Sequence, residues 1–317
     1  MTQKKLSLFG GSYTVSALLQ TSSERILSGG LCFTLNDQDV HSIKTRLSAP
    51  ILHVPIERLD AREALCECWN SSGKSKTDIA GDIHYKEDDD ILFGVLHINE
   101  SVFTSTENNT ALQQAAESAY TQIFTLLEQK NYPHIFRFWN YMADINAENE
   151  GLERYRQFNL GRHSAFKAFN RKIMGNAPAA CALGFNHIDS NYYSKSCLSV
   201  AFIAGRVPAK AIENPRQISA YQYPEQYGPV SPTFSRASLI KLIDSELLLI
   251  SGTASIVGHA TQHVSDVVIQ AREAMTNIEA ILEQANRNSV KANFSLDSLH
   301  YRVYVRHKEH MLDVQHE

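Results

Sequence analysis

The chain has no uncharged apolar run approaching the ~18 residues that a bilayer span needs, so nothing in it predicts a transmembrane helix. It has no excess of positive charge: the formal net charge is −4, which argues against a nucleic-acid or anionic-membrane footprint. There is no G-x-x-x-x-G-K-[ST] phosphate loop, no G-x-S-x-G elbow and no low-complexity tract. The apolar stretch after Lys4-Lys5 is interrupted by Gly10, Gly11, Ser12, Tyr13 and Thr14, too polar a run for a secretory signal. The five cysteines are an odd number without framework spacing, which predicts reduced thiols in a cytoplasmic protein. Cys66-x-Cys68 has no second pair with which to hold zinc. His259 and His263 are four apart but lie in a loop before the helix, and no acidic third ligand is read for them. Asp88, Asp89 and Asp90 point to alternate faces if extended and read better as a solvated hairpin tip, Lys86 to Asp90. No metal site and no cofactor is expected.

What is present is ordinary globular composition, 43% apolar and 20% charged over 317 residues, enough for one large or two ordinary domains. The clearest pattern runs from Leu247 to Ala285. Leu247 to Ile250 is a buried-strand pattern that stops at Ser251-Gly252. A small-residue bend and a loop follow, and Ser265-Asp266 can cap a helix. In that helix Val264, Val267, Val268, Ala271, Ala274, Met275, Ile278, Ile281, Leu282 and Ala285 recur at steps of three and four.

Upstream, residues 1 to about 50 predict edge strands. A helix stripe of Leu112, Ala116, Ala119, Ile123, Leu126 and Leu127 precedes a strand, Ile135 to Met142. This block resembles the later one. Thr121, Ile123, Leu127, Glu128 and Gln129 match Thr276, Ile278, Leu282, Glu283 and Gln284 at one constant offset, and Leu299 to Arg306 stands where a second strand would be. The reading is an internal duplication of a strand–helix–strand unit. Arg171 to Ala182 predicts the connection between two domains, and Leu198 to Ala204 the strand that opens the second.

Arg154, Tyr155, Arg156 and Arg162 cluster in one short segment, and Arg216 and Arg236 flank Tyr221, Tyr223 and Tyr227. A guanidinium fork binds a carboxylate bidentately and a phenol adds a directed donor. Such a set suits a planar dianion; surface or inter-domain ion pairs are the other reading. The bend Ser251, Gly252, Thr253, Ala254 either lets backbone approach a ligand or packs helix on sheet.

Ile250-Ser251-Gly252 with the helix Gln270 to Leu282 and Asn277 resembles the core of the RidA/YjgF family. GLERYRQFNLGRHSAF (151–166), ENPRQISAYQYPEQYGP (213–229) and SGTASIVGHATQH (251–263) together resemble the chorismatase family, from about Ile51 onward. The resemblance implies an α+β fold of two RidA/YjgF-like domains, each a mixed β-sheet with amphipathic helices packed on one face. Residues 1–175 would be the degenerate N-terminal one and 176–317 the C-terminal one. It implies a cytoplasmic enzyme, a monomer or small homo-oligomer, without nucleic-acid or membrane partners. Such an enzyme cleaves the enolpyruvyl ether of chorismate to pyruvate plus a dihydroxycyclohexadiene carboxylate or a hydroxybenzoate. Arg154, Tyr155, Arg162, Arg216, Tyr221, Arg236 and the bend Ser251, Gly252, Thr253 and Ala254 would bind the two carboxylates. The family places its protonating glutamate on a strand beyond the one read at Tyr301 to Arg306. No such segment matches here, so the C-terminal domain is expected to lack its last strand. Glu309 is left as a catalytic candidate without a motif match. A RidA-type enamine deaminase and a non-catalytic binder of a chorismate-like dicarboxylate remain as alternatives.

Overall fold

The computed structural model describes residues 8–21, 27–33, 36–60, 64–71, 74–185 and 197–317. It opens with β1 (Leu8–Thr14), α1 (Val15–Thr21), β2 (Leu27–Phe33), α2 (Asp37–Arg46), β3 (Ile51–Val54) and β4 (Leu65–Ser71). The four strands make one sheet in the order β1-β4-β2-β3. Where only edge strands were expected, two helices also form. The second starts at a capping box, with the Asn36 side chain accepting from the Asp39 N–H and the Asp39 side chain accepting from the Asn36 N–H.

Cys32 and Cys66 lie opposite each other where β2 pairs with β4, and they form a disulfide. This corrects the expectation of reduced thiols throughout; strand register, which sequence spacing does not carry, puts the two side chains face to face. Cys68, Cys181 and Cys197 are buried free thiols.

Next come β5 (Lys76–Ala80), β6 (Ile83–Glu87), β7 (Ile91–Asn99), α3 (Ala111–Lys130) and β8 (His134–Ala143). A short ribbon, β9 (Glu148–Asn149) with β10 (Leu152–Glu153), leads into α4 (Arg154–Ala168), β11 (Ala179–Phe185) and β12 (Cys197–Gly205). The longer strands form a six-stranded mixed sheet, β11-β8-β12-β7-β6-β5. β7 is apolar at successive positions because both its faces are covered. Leu92, Leu96 and Ile98 pack under α3 and α4, while Ile91, Phe93 and Val95 meet Leu31, Phe33, Leu52 and Trp69 of the first sheet. The predicted α3 stripe is buried at every position. At the β6–β7 tip Asp88 Oδ1 accepts from the Asp90 and Ile91 N–H groups, an Asx turn at the expected place.

Two expectations change here. Residues 198–204, read as opening a second domain, lie in β12, between β7 and β8. The connector read at 171–182 becomes strand at Ala179.

The third sheet is β13 (Ala209–Ile212), β14 (Ala237–Lys241) and β15 (Glu246–Ile250), all antiparallel. A ribbon of β16 (Ile256–Val257) and β17 (Ala260–Thr261) precedes α5 (Val267–Asn288), and α6 (Met311–His316) follows. Asp266 caps α5, as expected, by accepting from the Ile269 N–H. Ile281, Leu282 and Ala285 pack on Ile212, Leu239 and Leu248. The N-terminal part of the α5 stripe is less covered, and Val264, outside the helix, is 76% exposed.

The strand expected at Tyr301 to Arg306 does not form. That segment is held by side chains instead: the Tyr304 and Tyr141 hydroxyls lie 3.0 Å apart, and Arg302 lies over Phe33 beside Glu67. The whole is a mixed α+β structure. Among the described residues no helix is long and apolar enough to cross a membrane.

Candidate active site

The motif Gly161-Arg162 sits where α4 crosses α3. A Cβ on Gly161 would lie 2.0 Å from the Gln113 carbonyl oxygen, so glycine is what lets the two helix backbones touch. The contact fixes Arg162 over the core, 2% exposed. Its guanidinium carbon is 5.1 Å from the Tyr120 ring, 5.5 Å from Phe166, 5.6 Å from Phe138 and 6.0 Å from Phe158. Its Nε and Nη2 have no hydrogen-bond partner among the described residues, and no carboxylate there pairs with it. The rings supply only a quadrupole. Tyr155, two turns before Arg162 on α4, stacks on Phe158. Burial pushes its phenol above the ordinary range, with the Asn159 side chain and the Arg162 charge opposing.

Arg154 behaves differently. It forks onto Glu100 at 2.7 and 3.0 Å and donates Nε–H to the Ala143 carbonyl, so the protein itself occupies it.

The segment 213–236 faces α4. Arg156 reaches the Gln226 carbonyl and lies against Gly228. Arg236, 5% exposed, donates from Nη2 to the Ile218 carbonyl and the Tyr223 hydroxyl. Its Nε is unpartnered among the described residues. Tyr221 stands beside Glu213, whose Oε1 is buried without a partner. Burial pushes the Glu213 carboxyl above the ordinary range; the Arg236 charge and the Ser219 and Tyr221 hydroxyls oppose. Tyr223 and Tyr227 rings lie 5.4 Å apart, and the Tyr227 hydroxyl is 3.0 Å from His259 Nδ1.

Arg216 turns to α5. Its Nη2 is 2.7 Å from Glu273 Oε1 as an ion pair without hydrogen-bond alignment, and Nη1 donates to Asn277 Oδ1. Glu273 also lies 3.7 Å from His263, the acid that sequence spacing did not place there.

The bend is stitched into the fold. Ser251 Oγ donates to the Ser235 carbonyl and accepts from the Ala180 N–H, while Ser251 N–H donates to the Arg236 carbonyl. Gly252 lies so near β11 that a Cβ would be 3.3 Å from the Cys181 Cβ. Thr253 Oγ1 donates to the Ser251 carbonyl, and the Ala254 carbonyl accepts from Asn277. The bend therefore adjoins Arg236 through backbone, with its hydroxyls spent on the protein.

The structure thus gathers Tyr155, Arg162, Tyr221, Arg236 and the bend near one seam, and sends Arg154 and Arg216 to internal acids. The four-ring cage, Glu100 and Glu213 were not legible in the sequence, since each needs tertiary contacts to stand out. A separate surface depression of about 380 Å³ lies by Lys74, Asp88, Tyr132 and Arg206, away from these residues. Chemically, the seam offers two buried guanidinium groups with free donors, aromatic rings beside each of them and a protonatable carboxyl. That suits a ring-bearing dianion.

Several known proteins similar to the chain fall in one family. Residues 67–204 match the family described as chorismatase FkbO/Hyg5-like, N-terminal. A 3-hydroxybenzoate synthase of Streptomyces hygroscopicus is 35% identical over 255 residues, 78% of this chain and 70% of the relative. A chorismatase of Streptomyces rapamycinicus is 34% identical over 261 residues, 80% of this chain and 73% of that one. A crystal structure of a chorismatase superposes with a TM-score of 0.82 at 26% identity, over 99% of this chain and 90% of that chain. With motifs, fold and relatives in accord over most of its length, the chain belongs to the chorismatase family and is an enzyme of chorismatase type.

Proposed function

We propose that the chain cleaves the enolpyruvyl ether of chorismate, giving pyruvate plus a dihydroxycyclohexadiene carboxylate or a hydroxybenzoate. The observation that carries this reading is Arg162: a cation 2% exposed, ringed by aromatics, with two unpartnered nitrogens, Nε and Nη2, and no acid paired with it among the described residues. A buried unpaired charge is costly, and a ligand carboxylate would pair it. The second carboxylate falls to Arg236, whose Nε is free, in place of Arg216, which Glu273 already engages. Tyr155 and Tyr223 between them offer faces for the ring. The named activities of the relatives support the same substrate.

The chemistry for the diene product is protonation of the enol methylene, addition of water to the resulting oxocarbenium carbon, and collapse of the hemiketal to pyruvate and the ring diol. A hydroxybenzoate is that diol less one water, so forming it requires in addition loss of a ring hydroxyl and a ring proton as water, with aromatisation. Protonation requires an acid kept neutral by apolar surroundings. Glu309 is exposed on a short turn and does not meet that requirement. The helix-on-sheet units around α3 and α5 support reading the fold as two RidA-like lobes.

Incubation with chorismate, followed by a lactate dehydrogenase-coupled pyruvate assay, tests the proposal. Pyruvate release abolished by Arg162→Ala is the expected result. No release, or release indifferent to Arg162→Ala, refutes it.

A further inference from the structure

Glu213 follows Ile212 and Arg236 precedes Ala237, the last register pair of β13 with β14, so the two residues flank the same end of that ladder. Among the described residues no ion pair closes between them. Glu213 Oε1 is buried with no partner, and Arg236 Nε is buried with no partner. The rest of the Arg236 fork is spent on the Ile218 carbonyl and the Tyr223 hydroxyl. We infer that Glu213 is a proton-linked specificity residue: a carboxylate docks on Arg236 only together with a proton taken up by Glu213. The inference rests on the chorismate reading and extends it from the anchor to the group opposite.

In the empty protein the Glu213 charge is opposed by burial and supported by Arg236, with the Ser219 and Tyr221 hydroxyls helping. A ligand carboxylate on Arg236 neutralises that support and adds a like charge beside Glu213. Both changes disfavour the ionised form, so they raise the Glu213 pKa further. The protonated carboxyl can then donate its O–H to the incoming carboxylate, which gives Oε1 a role that it lacks in the empty protein. Proton and ligand therefore bind cooperatively, and by reciprocity each raises the affinity for the other.

The other charged groups of this corner are accounted for. From α5, Glu273 is paired with Arg216. From α4, burial holds the Tyr155 phenol above the ordinary range, with the Asn159 side chain and the Arg162 charge opposing.

The sign follows from the direction of the shift. Uptake occurs between the free and the liganded pKa of Glu213, the former already raised. Through that window chorismate affinity falls as pH rises, by up to about tenfold per pH unit for one proton. A site with a preformed carboxylate-to-arginine contact would show no such dependence.

Titration calorimetry with chorismate, at several pH values and in two buffers of different ionisation enthalpy, reads the proton count directly. The wild type is expected to take up protons. Glu213→Gln, which mimics the neutral form, is expected to bind with buffer-independent heat and an affinity flat across the window. Glu213→Asp should keep the uptake and move its window, which covers the case in which the Gln variant does not fold. Chorismate binding by the wild type without proton uptake overturns this inference alone, as does uptake that survives in Glu213→Gln. Absence of any chorismate binding overturns the ligand reading with it.

Discussion

Replacing Arg162 by Met should make the empty protein more stable and nearly abolish ligand binding. The stability half follows from what the side chain lacks. Two buried donor nitrogens without partners, Nε and Nη2, cost about 1–3 kcal/mol each. The four aromatic rings return about 0.5–2 kcal/mol as a cation–π contribution. Methionine follows the same path through the cage with no charge to desolvate, and a hydrophobic replacement of similar volume usually costs less than about 1.5 kcal/mol in packing. A net gain of roughly 1–3 kcal/mol is expected. The binding half has the opposite sign. Removing one partner of a buried, hydrogen-bonded charge pair costs about 2–5 kcal/mol, or roughly 30- to 4,000-fold in Kd. Urea unfolding of the ligand-free protein and calorimetry with chorismate measure the two halves separately. A variant less stable than its parent would mean that the guanidinium is satisfied after all. An unchanged Kd would mean that the anion sits elsewhere. Either result refutes its half of the reasoning.

Four further outcomes follow from the structure. Glu100→Ala leaves Arg154 buried and unpaired, and should cost about 3–5 kcal/mol in urea unfolding, whereas changing both residues to apolar ones should recover most of it. Gly161→Ala puts a methyl group 2.0 Å from the Gln113 carbonyl, so α4 must move off α3; it should lower the unfolding midpoint and weaken ligand binding through displacement of Arg162. Glu246 ties β15 to the end of α5. Burial works against its charge, but the Ser289 hydroxyl and the Lys291, Ala292 and Val290 N–H groups outweigh it and hold the carboxyl down to about 2. Its contribution is present above the ordinary carboxylate pKa and lost as pH falls from there toward 2, so Glu246→Gln should flatten the acid limb of a stability–pH curve. Thiol titration of the unreduced, denatured chain should count three cysteines of the five, and reduction of the Cys32–Cys66 bridge should lower stability by about 2–4 kcal/mol.

Much of the fold was legible because it rests on local pattern. The α3 stripe, the strand after it, the hairpin tip at Asp88 and the Asp266 cap all depend on residues close in sequence, and all stand where spacing put them. The Arg-Tyr cluster was legible as composition, but not as a division of labour. Arg154 and Arg162 lie on one helix two turns apart and read alike. Only the tertiary contact of Glu100 with the first, and its absence at the second, separates a structural ion pair from a free cation. Arg216 and Arg236 divide in the same way, by the presence of Glu273 on α5.

The apparent duplication shows where such reading stops. Over the first of the two matched segments β7, α3 and β8 form, and β12 enters between the two strands as their common partner. The second matched segment has β15 and α5 but not the final strand, although Leu299 to Arg306 alternates much as Ile135 to Met142 does. Alternation describes which side chains could face a core, while a strand exists only where a neighbour accepts its N–H and C=O groups. β8 has β11 on one side and β12 on the other. Residues 301–306 have no ladder partner among the described residues, and their order comes from Arg302 on Glu67 and Tyr304 on Tyr141. The two segments thus differ in the partners the rest of the chain supplies, which is why the helix of the second forms as expected and its last strand does not.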